Sequence, residues 1–182
     1  MDAGVHWSTR ANALTLARLL LAPALAAAVL SGNPGIAAAL FAIAVGTDFA
    51  DGWVARRYRE ESPFGGFADH AADATFAVTA TAALARTGVL PAVLPWLIAA
   101  AFIQYALDSR VLSASGLFPS RLGRWNGIAY YVIAAIPIVR DAFALGWPGR
   151  ALVSALAFAL IASTLVSMLD RLRLLVSHRA AH

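Results

Sequence analysis

Four aspartates, Asp48, Asp51, Asp69 and Asp73, fall within 26 residues of a chain that carries only ten acidic residues. Apolar sequence flanks them on both sides. An ionisable side chain in hydrocarbon costs a few kcal/mol or more, so such residues mark functional sites by default. Side chains three or four apart share one face of a helix. Asp48 and Asp51 therefore belong to one helical face and Asp69 and Asp73 to another. Four carboxylates directed into one cleft would repel, and some would take up protons. Divalent cations remove that conflict. An all-oxygen ligand set suits Mg²⁺ or Mn²⁺, admits Ca²⁺ and argues against zinc or copper. Four carboxylates suffice for two ions about 4 Å apart, the usual arrangement for displacement at phosphorus.

The neighbouring residues suit a phosphate ligand. Gly52 and Ala55 are small and lie on the same side as Asp48 and Asp51, which leaves room for a bulky group near the backbone. Arg56 brings a planar guanidinium matched to phosphate. Gly65 and Gly66 are expected in a turn that passes close to a ligand.

The elements that hold these residues are expected to be membrane helices. The chain has 182 residues, is 60% hydrophobic and 13% charged, and has a mean hydropathy of +0.71. Soluble domains carry about 25% charged residues. A bilayer span needs about 20 mostly apolar residues. Six segments qualify, near 13–31, 35–57, 67–88, 91–112, 122–146 and 150–174. Turn chemistry separates them: Ser31 to Pro34, Ser62-Pro63, Gly88 to Pro91, Ser113 to Pro119, and Gly146 to Gly149. The fold class is thus an all-α integral membrane protein, a six-helix transmembrane bundle, with residues 1–182 as one domain. The N-terminal stretch lacks a small-residue cleavage site behind its apolar run and reads as a retained first helix. Without cysteine there is no disulfide framework and no thiolate metal site. No dense basic face of the kind that binds nucleic acid is present.

Arginine sets the expected orientation, since lysine is absent. Eleven of the fourteen arginines lie at the N-terminal end, the 56–59 turn, the 110–124 stretch and the C-terminus, leaving Arg86, Arg140 and Arg150 for the other face. The positive-inside rule then puts both termini, and the aspartates, on the cytoplasmic side of the inner membrane.

The order Asp48-x2-Asp51-Gly52-x2-Ala55-Arg56-x8-Gly65-x3-Asp69-x3-Asp73 resembles the signature of the CDP-alcohol phosphotransferase family at all eight fixed positions and both gaps. The ANALTLAR stretch at 11–18 also resembles that family's first-helix segment. The resemblance implies a reaction: a phosphate-linked group moves from a CDP-alcohol, commonly CDP-diacylglycerol, to a second alcohol, and CMP is released. It implies that Asp48, Asp51 and Asp69 hold one metal ion and Asp48, Asp69 and Asp73 a second. Asp73 is then also the general base for the acceptor hydroxyl. Gly52, Arg56, Ser62 and Gly65 are implied to line the cytidine diphosphate pocket beside Ala55, completed by Asn12 and Thr15. A homodimer is implied as well. The glycerol-phosphate branch commonly reads LDPxADK where this chain reads ADHAADA. The acceptor therefore stays open among glycerol-3-phosphate, inositol phosphate, phosphatidylglycerol, serine and other polyols.

Arg110, Arg121 and Arg124 cluster around the fourth turn and are expected to form a pocket for an anionic acceptor. His70 is expected to face sideways into packing, and Arg18 to snorkel to the interface or meet a lipid phosphate. Trp96, Trp125 and Trp147 read as interfacial anchors, and the alanine-rich third and fourth helices as closely packed. A divalent cation transporter or channel is the alternative reading of the carboxylates. It predicts acidic residues along several helices and at both faces.

Overall fold

The computed structural model describes residues 10–58, 63–112 and 121–180, and side chains within 15–48, 68–107 and 122–174. Among the described residues it is entirely helical: α1 (Arg10–Leu30), α2 (Pro34–Tyr58), α3 (Pro63–Arg86), α4 (Val93–Leu112), α5 (Arg121–Ala142) and α6 (Arg150–Ala180). The six expected segments recur within a few residues at most ends. α6 extends furthest, six residues beyond its expected end, where Leu175, Arg179 and Ala180 are good helix formers and no glycine or proline intervenes. Gly65 and Gly66 do not form the expected turn. Pro63 opens α3, and both glycines lie in its first turn. Proline suits that opening position because its φ is already helical and its missing N–H would have no intrahelical partner.

Three helices end in the same way. After α1, Gly32 takes φ +69°, the Asn33 N–H donates to Ala28 O at 2.9 Å and the Gly32 N–H to Val29 O at 3.2 Å. After α3, Gly88 at φ +72° does the same, with Val89 donating to Leu84 O and Gly88 to Ala85 O. These paired bonds satisfy the last carbonyls, and glycine adopts the left-handed backbone without a Cβ clash. After α5, Ala144 fills that position at φ 49°.

α1 packs against both α2 and α3; α3 also meets α4 and α5; α2 meets α5; and α6 closes against α4 and α5. The interior mixes alanines, including Ala22, Ala28, Ala37, Ala44, Ala77 and Ala80, with large apolar side chains such as Leu25, Phe41, Phe76, Leu94 and Ile98. Small residues let helix backbones approach closely, the mode of packing used where water cannot drive association. The large apolar residues Leu20, Ile36, Ile43, Ile103, Phe143 and Phe158 point outward. Trp96, Trp125 and Trp147 are all exposed. An apolar surface this extensive marks an interaction surface, and lipid is the partner that suits it. Among the residues whose side chains are described, Leu122–Ala142 and Arg150–Leu174 are long and apolar enough to cross a bilayer, and 15–30, 34–48 and 93–107 are shorter apolar stretches of α1, α2 and α4.

Candidate active site

The C-terminal half of α2 and the N-terminal half of α3 bring Asp48, Asp69 and Asp73 together, and α1 supplies what joins them. The Arg18 guanidinium lies 3.0 Å from Asp48 Oδ1 and 2.9 Å from Asp69 Oδ1, and Arg18 Nη1 also donates to Asp73 Oδ1. Its side chain is 0% exposed, whereas the three carboxylates are partly open. Arg18 therefore neither snorkels nor reaches for lipid. A buried guanidinium is tolerable only when its charge is compensated, and three carboxylates do this here. Its planar fork sets two separate nitrogens, Nη1 toward Asp69 and Asp73 and Nη2 toward Asp48, where an ammonium would offer a single point charge.

Asp73 is further fixed from α5. Tyr131 Oη donates to Asp73 Oδ1 at 3.1 Å. The Tyr131 ring stacks on Phe76 at 5.8 Å and 13°, and Phe41 closes the cluster 5.8 Å from Phe76 and 6.2 Å from Tyr131. One aromatic group from each of α2, α3 and α5 thus forms a floor beneath the carboxylates. Such ring pairs add about 0.5–1.5 kcal/mol beyond their buried area.

His70 does not turn into packing. It is exposed, its ring lies 5.9 Å from Tyr105, and its ligating nitrogen falls within 4.8 Å of the Asp69 and Asp73 oxygens, so these three residues could hold a metal ion. On the far side of Asp73 a cavity of about 470 Å³ opens between α3, α4, α5 and α6. Asp73, His70, Arg124 and Arg171 are among its lining residues. The Arg171 guanidinium sits 5.1 Å from the centre of the Tyr105 ring.

The remaining expected site residues divide by position. Thr15 is buried on α1, one turn before Arg18. Asn12 lies on α1; Asp51, Gly52, Ala55 and Arg56 lie on α2; Gly65 lies on α3; Arg110 lies on α4; and Arg121 begins α5. The side chains of these eight are outside the described residues, as is Ser62 altogether. Arg124 reaches the cavity beside Asp73. Sequence reasoning missed the clasp by Arg18, the Tyr131 bond, and the cavity-lining Gln104, Asn126 and Arg171. Arg18 alone carried a usable signal: it is a charge within an apolar run, on the same helical face as Thr15.

Entirely helical described residues, an apolar exterior and carboxylates gathered beside a cavity lined by Arg124 and Arg171 define a membrane-type helical protein. The chain belongs to the CDP-alcohol phosphatidyltransferase family, a family of transferases, whose sequence profile matches residues 8–169. It is 33% identical over 144 residues to a CDP-diacylglycerol–glycerol-3-phosphate 3-phosphatidyltransferase of Cereibacter sphaeroides, a match covering 72% of this chain and 63% of that protein. It is 29% identical over 170 residues to a "probable phosphatidylglycerophosphate synthase" of Mycobacterium tuberculosis, covering 88% of this chain and 78% of that one. A Salmonella choleraesuis protein with the same name as the Cereibacter one is 28% identical over 137 residues, covering 74% and 72%.

Proposed function

We propose that this protein transfers a phosphatidyl group from CDP-diacylglycerol to glycerol-3-phosphate, releasing CMP, as a step of phospholipid synthesis. The observation that carries the reading is the placement of Asp73: it belongs to the carboxylate cluster and also lines the cavity that holds Arg124 and Arg171. The names of the relatives support the choice of acceptor, and two cationic residues in the cavity suit a phosphorylated alcohol. Family membership favours this reading over a cation path.

In the proposed reaction the acceptor's terminal hydroxyl sits beside Asp73. Asp73 accepts its proton as the hydroxyl oxygen bonds to the phosphatidyl phosphorus. The phosphoanhydride bond breaks, and its electron pair leaves with CMP. Arg124 and Arg171 orient the acceptor through its phosphate, which converts an encounter into a held geometry. Tyr131 keeps the Asp73 carboxylate aimed. Asp48, Asp51, Asp69 and Asp73 would hold two divalent ions, Mg²⁺ or Mn²⁺. The donors fit that role, because hard oxygen ligands are concentrated here and three of them already converge on a cation. Bound ions would neutralise charge developing on the pyrophosphate. Asn12, Thr15, Gly52, Ala55, Arg56, Ser62 and Gly65 form the proposed cytidine diphosphate pocket, and Arg110 and Arg121 the proposed outer part of the acceptor site. The chain forms one six-span domain with cytoplasmic termini, and the site opens on the cytoplasmic side of the inner membrane. A homodimer completes the proposal.

The test is CMP release by the full chain in detergent, from CDP-diacylglycerol with Mg²⁺ or Mn²⁺, across glycerol-3-phosphate, inositol phosphate, serine and phosphatidylglycerol. Turnover with glycerol-3-phosphate is expected. Turnover confined to another acceptor overturns the acceptor assignment, and no CMP release with any of them overturns the reaction.

A further inference from the structure

Three of the four helices around the cavity beside Asp73 each present one face to it. That face runs from His70 to Ala77 on α3, from Ile98 to Tyr105 on α4 and from Thr164 to Arg171 on α6. In each, lining residues recur at i, i+3, i+4 and i+7, the spacing of a single helical face. Ring contacts show which ends of the three faces coincide. The His70 and Tyr105 rings lie 5.9 Å apart, and the Arg171 guanidinium carbon sits over the Tyr105 ring, 5.1 Å from its centre. The opposite ends, Ala77, Ile98 and Thr164, are buried. His70 is exposed, so the end that carries His70, Tyr105 and Arg171 is the open one.

Tyr105 is the centre of that rim. It touches α3 through His70 and α6 through Arg171, and its ring lies 6.5 Å from that of Phe102, one turn earlier on α4. The negative face of an aromatic ring attracts a cation placed over it. The way a guanidinium is held decides what it can still do. Carboxylates hold Arg18, and they cancel its charge and take up its in-plane donors. An aromatic face confines a long, many-rotamer side chain without drawing on either. Confinement before the substrate arrives lowers the entropy cost of binding.

We propose that Tyr105 is a positioning residue for the transfer: its ring holds the Arg171 guanidinium at the open end of the cavity, where that guanidinium meets the phosphate of the acceptor. This rests on the acceptor reading above and adds what fixes one of the two cations that reading uses. Tyr105 itself touches neither the reacting hydroxyl nor the phosphorus; it acts through Arg171.

The test is a double-mutant cycle on the full chain. CMP release from CDP-diacylglycerol and glycerol-3-phosphate is followed for the wild type, Tyr105→Leu, Arg171→Gln and the double variant, with Tyr105→Phe as the conservative control. Tyr105→Leu is expected to raise the KM for glycerol-3-phosphate by about 3- to 10-fold, the size of a lost cation–π contact. Its kcat should stay within about twofold and its KM for CDP-diacylglycerol should not move. Tyr105→Phe keeps the ring and is expected to stay within about twofold of wild type. In the Arg171→Gln background, Tyr105→Leu is expected to add less than about twofold, because the two residues act as one. A ring that merely fills space would cost the same with or without Arg171, so additive effects overturn the proposal. A Tyr105→Phe protein as impaired as Tyr105→Leu also overturns it, since the hydroxyl would then be what matters. Should Tyr105→Leu fail to fold, fluorinated phenylalanines at that position weaken the negative face of the ring while keeping its shape. The KM for glycerol-3-phosphate should climb with each added fluorine, and a flat series overturns the proposal. Wild-type turnover with another alcohol and none with glycerol-3-phosphate instead sinks the acceptor assignment and this proposal with it.

Discussion

At the carboxylate end of the cleft opposite charges meet: Arg18 draws in Asp48, Asp69 and Asp73, and Tyr131 adds a bond to Asp73. Across Asp73, the cavity between α3, α4, α5 and α6 is lined by Arg124 and Arg171 among largely uncharged residues. The first region is filled by opposite charges in contact. The second is open space of about 470 Å³, roomy enough for a small molecule. The proposed transfer uses both, one to hold charge in place and the other to admit a substrate that comes and goes. Asp73 belongs to both regions, which is why the proposed proton transfer falls there.

The strongest way to break this division is at Asp73. Asp73→Asn keeps a side chain of the same shape that can accept from Tyr131 but removes the base. CMP release is expected to fall by about 10²–10⁴-fold, while Mn²⁺ binding measured by calorimetry weakens but persists. Retained turnover would remove Asp73 as the base. Next in size is Arg18→Leu, which strips the charged region of its internal cation. Removing one partner of a buried ion cluster costs roughly 3–5 kcal/mol. The variant's thermal midpoint in EDTA is expected to drop well below wild type and to recover with Mn²⁺ by a larger increment than wild type shows. An equal increment in both proteins would mean that Arg18 and the ions do not share the same carboxylates.

Smaller effects sharpen the substrate side. Arg124→Gln and Arg171→Gln are each expected to raise the KM for glycerol-3-phosphate by about 10-fold or more with a lesser change in kcat, as loss of a charge-assisted bond of about 1.5–3 kcal/mol implies. The KM for CDP-diacylglycerol should stay put in both. If it moves equally, these arginines serve the donor. The mildest change is Tyr131→Phe. The ring stack survives, and only the bond to Asp73 is lost, worth about 0.5–1.5 kcal/mol. A drop of roughly 3- to 10-fold in kcat with unchanged Mn²⁺ affinity is expected from that loss. A matching change in ion affinity would show that Tyr131 shapes the ion site and not the base.

Much of this was legible before any coordinates. Apolar runs of bilayer length, broken by glycine and proline, gave the six helices, because local propensity and turn chemistry act within a few residues. Spacing placed Asp48 on one helix and Asp69 and Asp73 on the next, and their convergence followed from the cost of isolated carboxylates. What stayed hidden depends on contacts distant in sequence. Arg18 is 51 residues from Asp69 and 55 from Asp73. Tyr131 is 58 residues from Asp73, and Gln104 is 64 from its partner Met168. Hydrophobic periodicity carries no information about such pairings, least of all where lipid leaves the outer face as apolar as the inner. His70 was misjudged for a related reason. Its neighbours in sequence are small, so only the position of α4, with Tyr105, decides that it faces the cleft.

The bulky aliphatics stand on both sides of this protein's surface, Leu25, Leu94 and Ile98 inside and Leu20, Ile36 and Ile43 outside, and this has a consequence for how it tolerates change. The outer ones are forgiving, and the buried alanines join the buried leucines as fragile positions. Exchanging Leu20 for Ile or Ile43 for Leu trades one lipid-facing surface for another, whereas adding even two methylenes at Ala44 or Ala80, both fully buried, wedges apart helices that have no slack, at a cost of about 1–3 kcal/mol each. Natural drift in this chain should therefore run freely around its perimeter and stall in its interior, the alanines included.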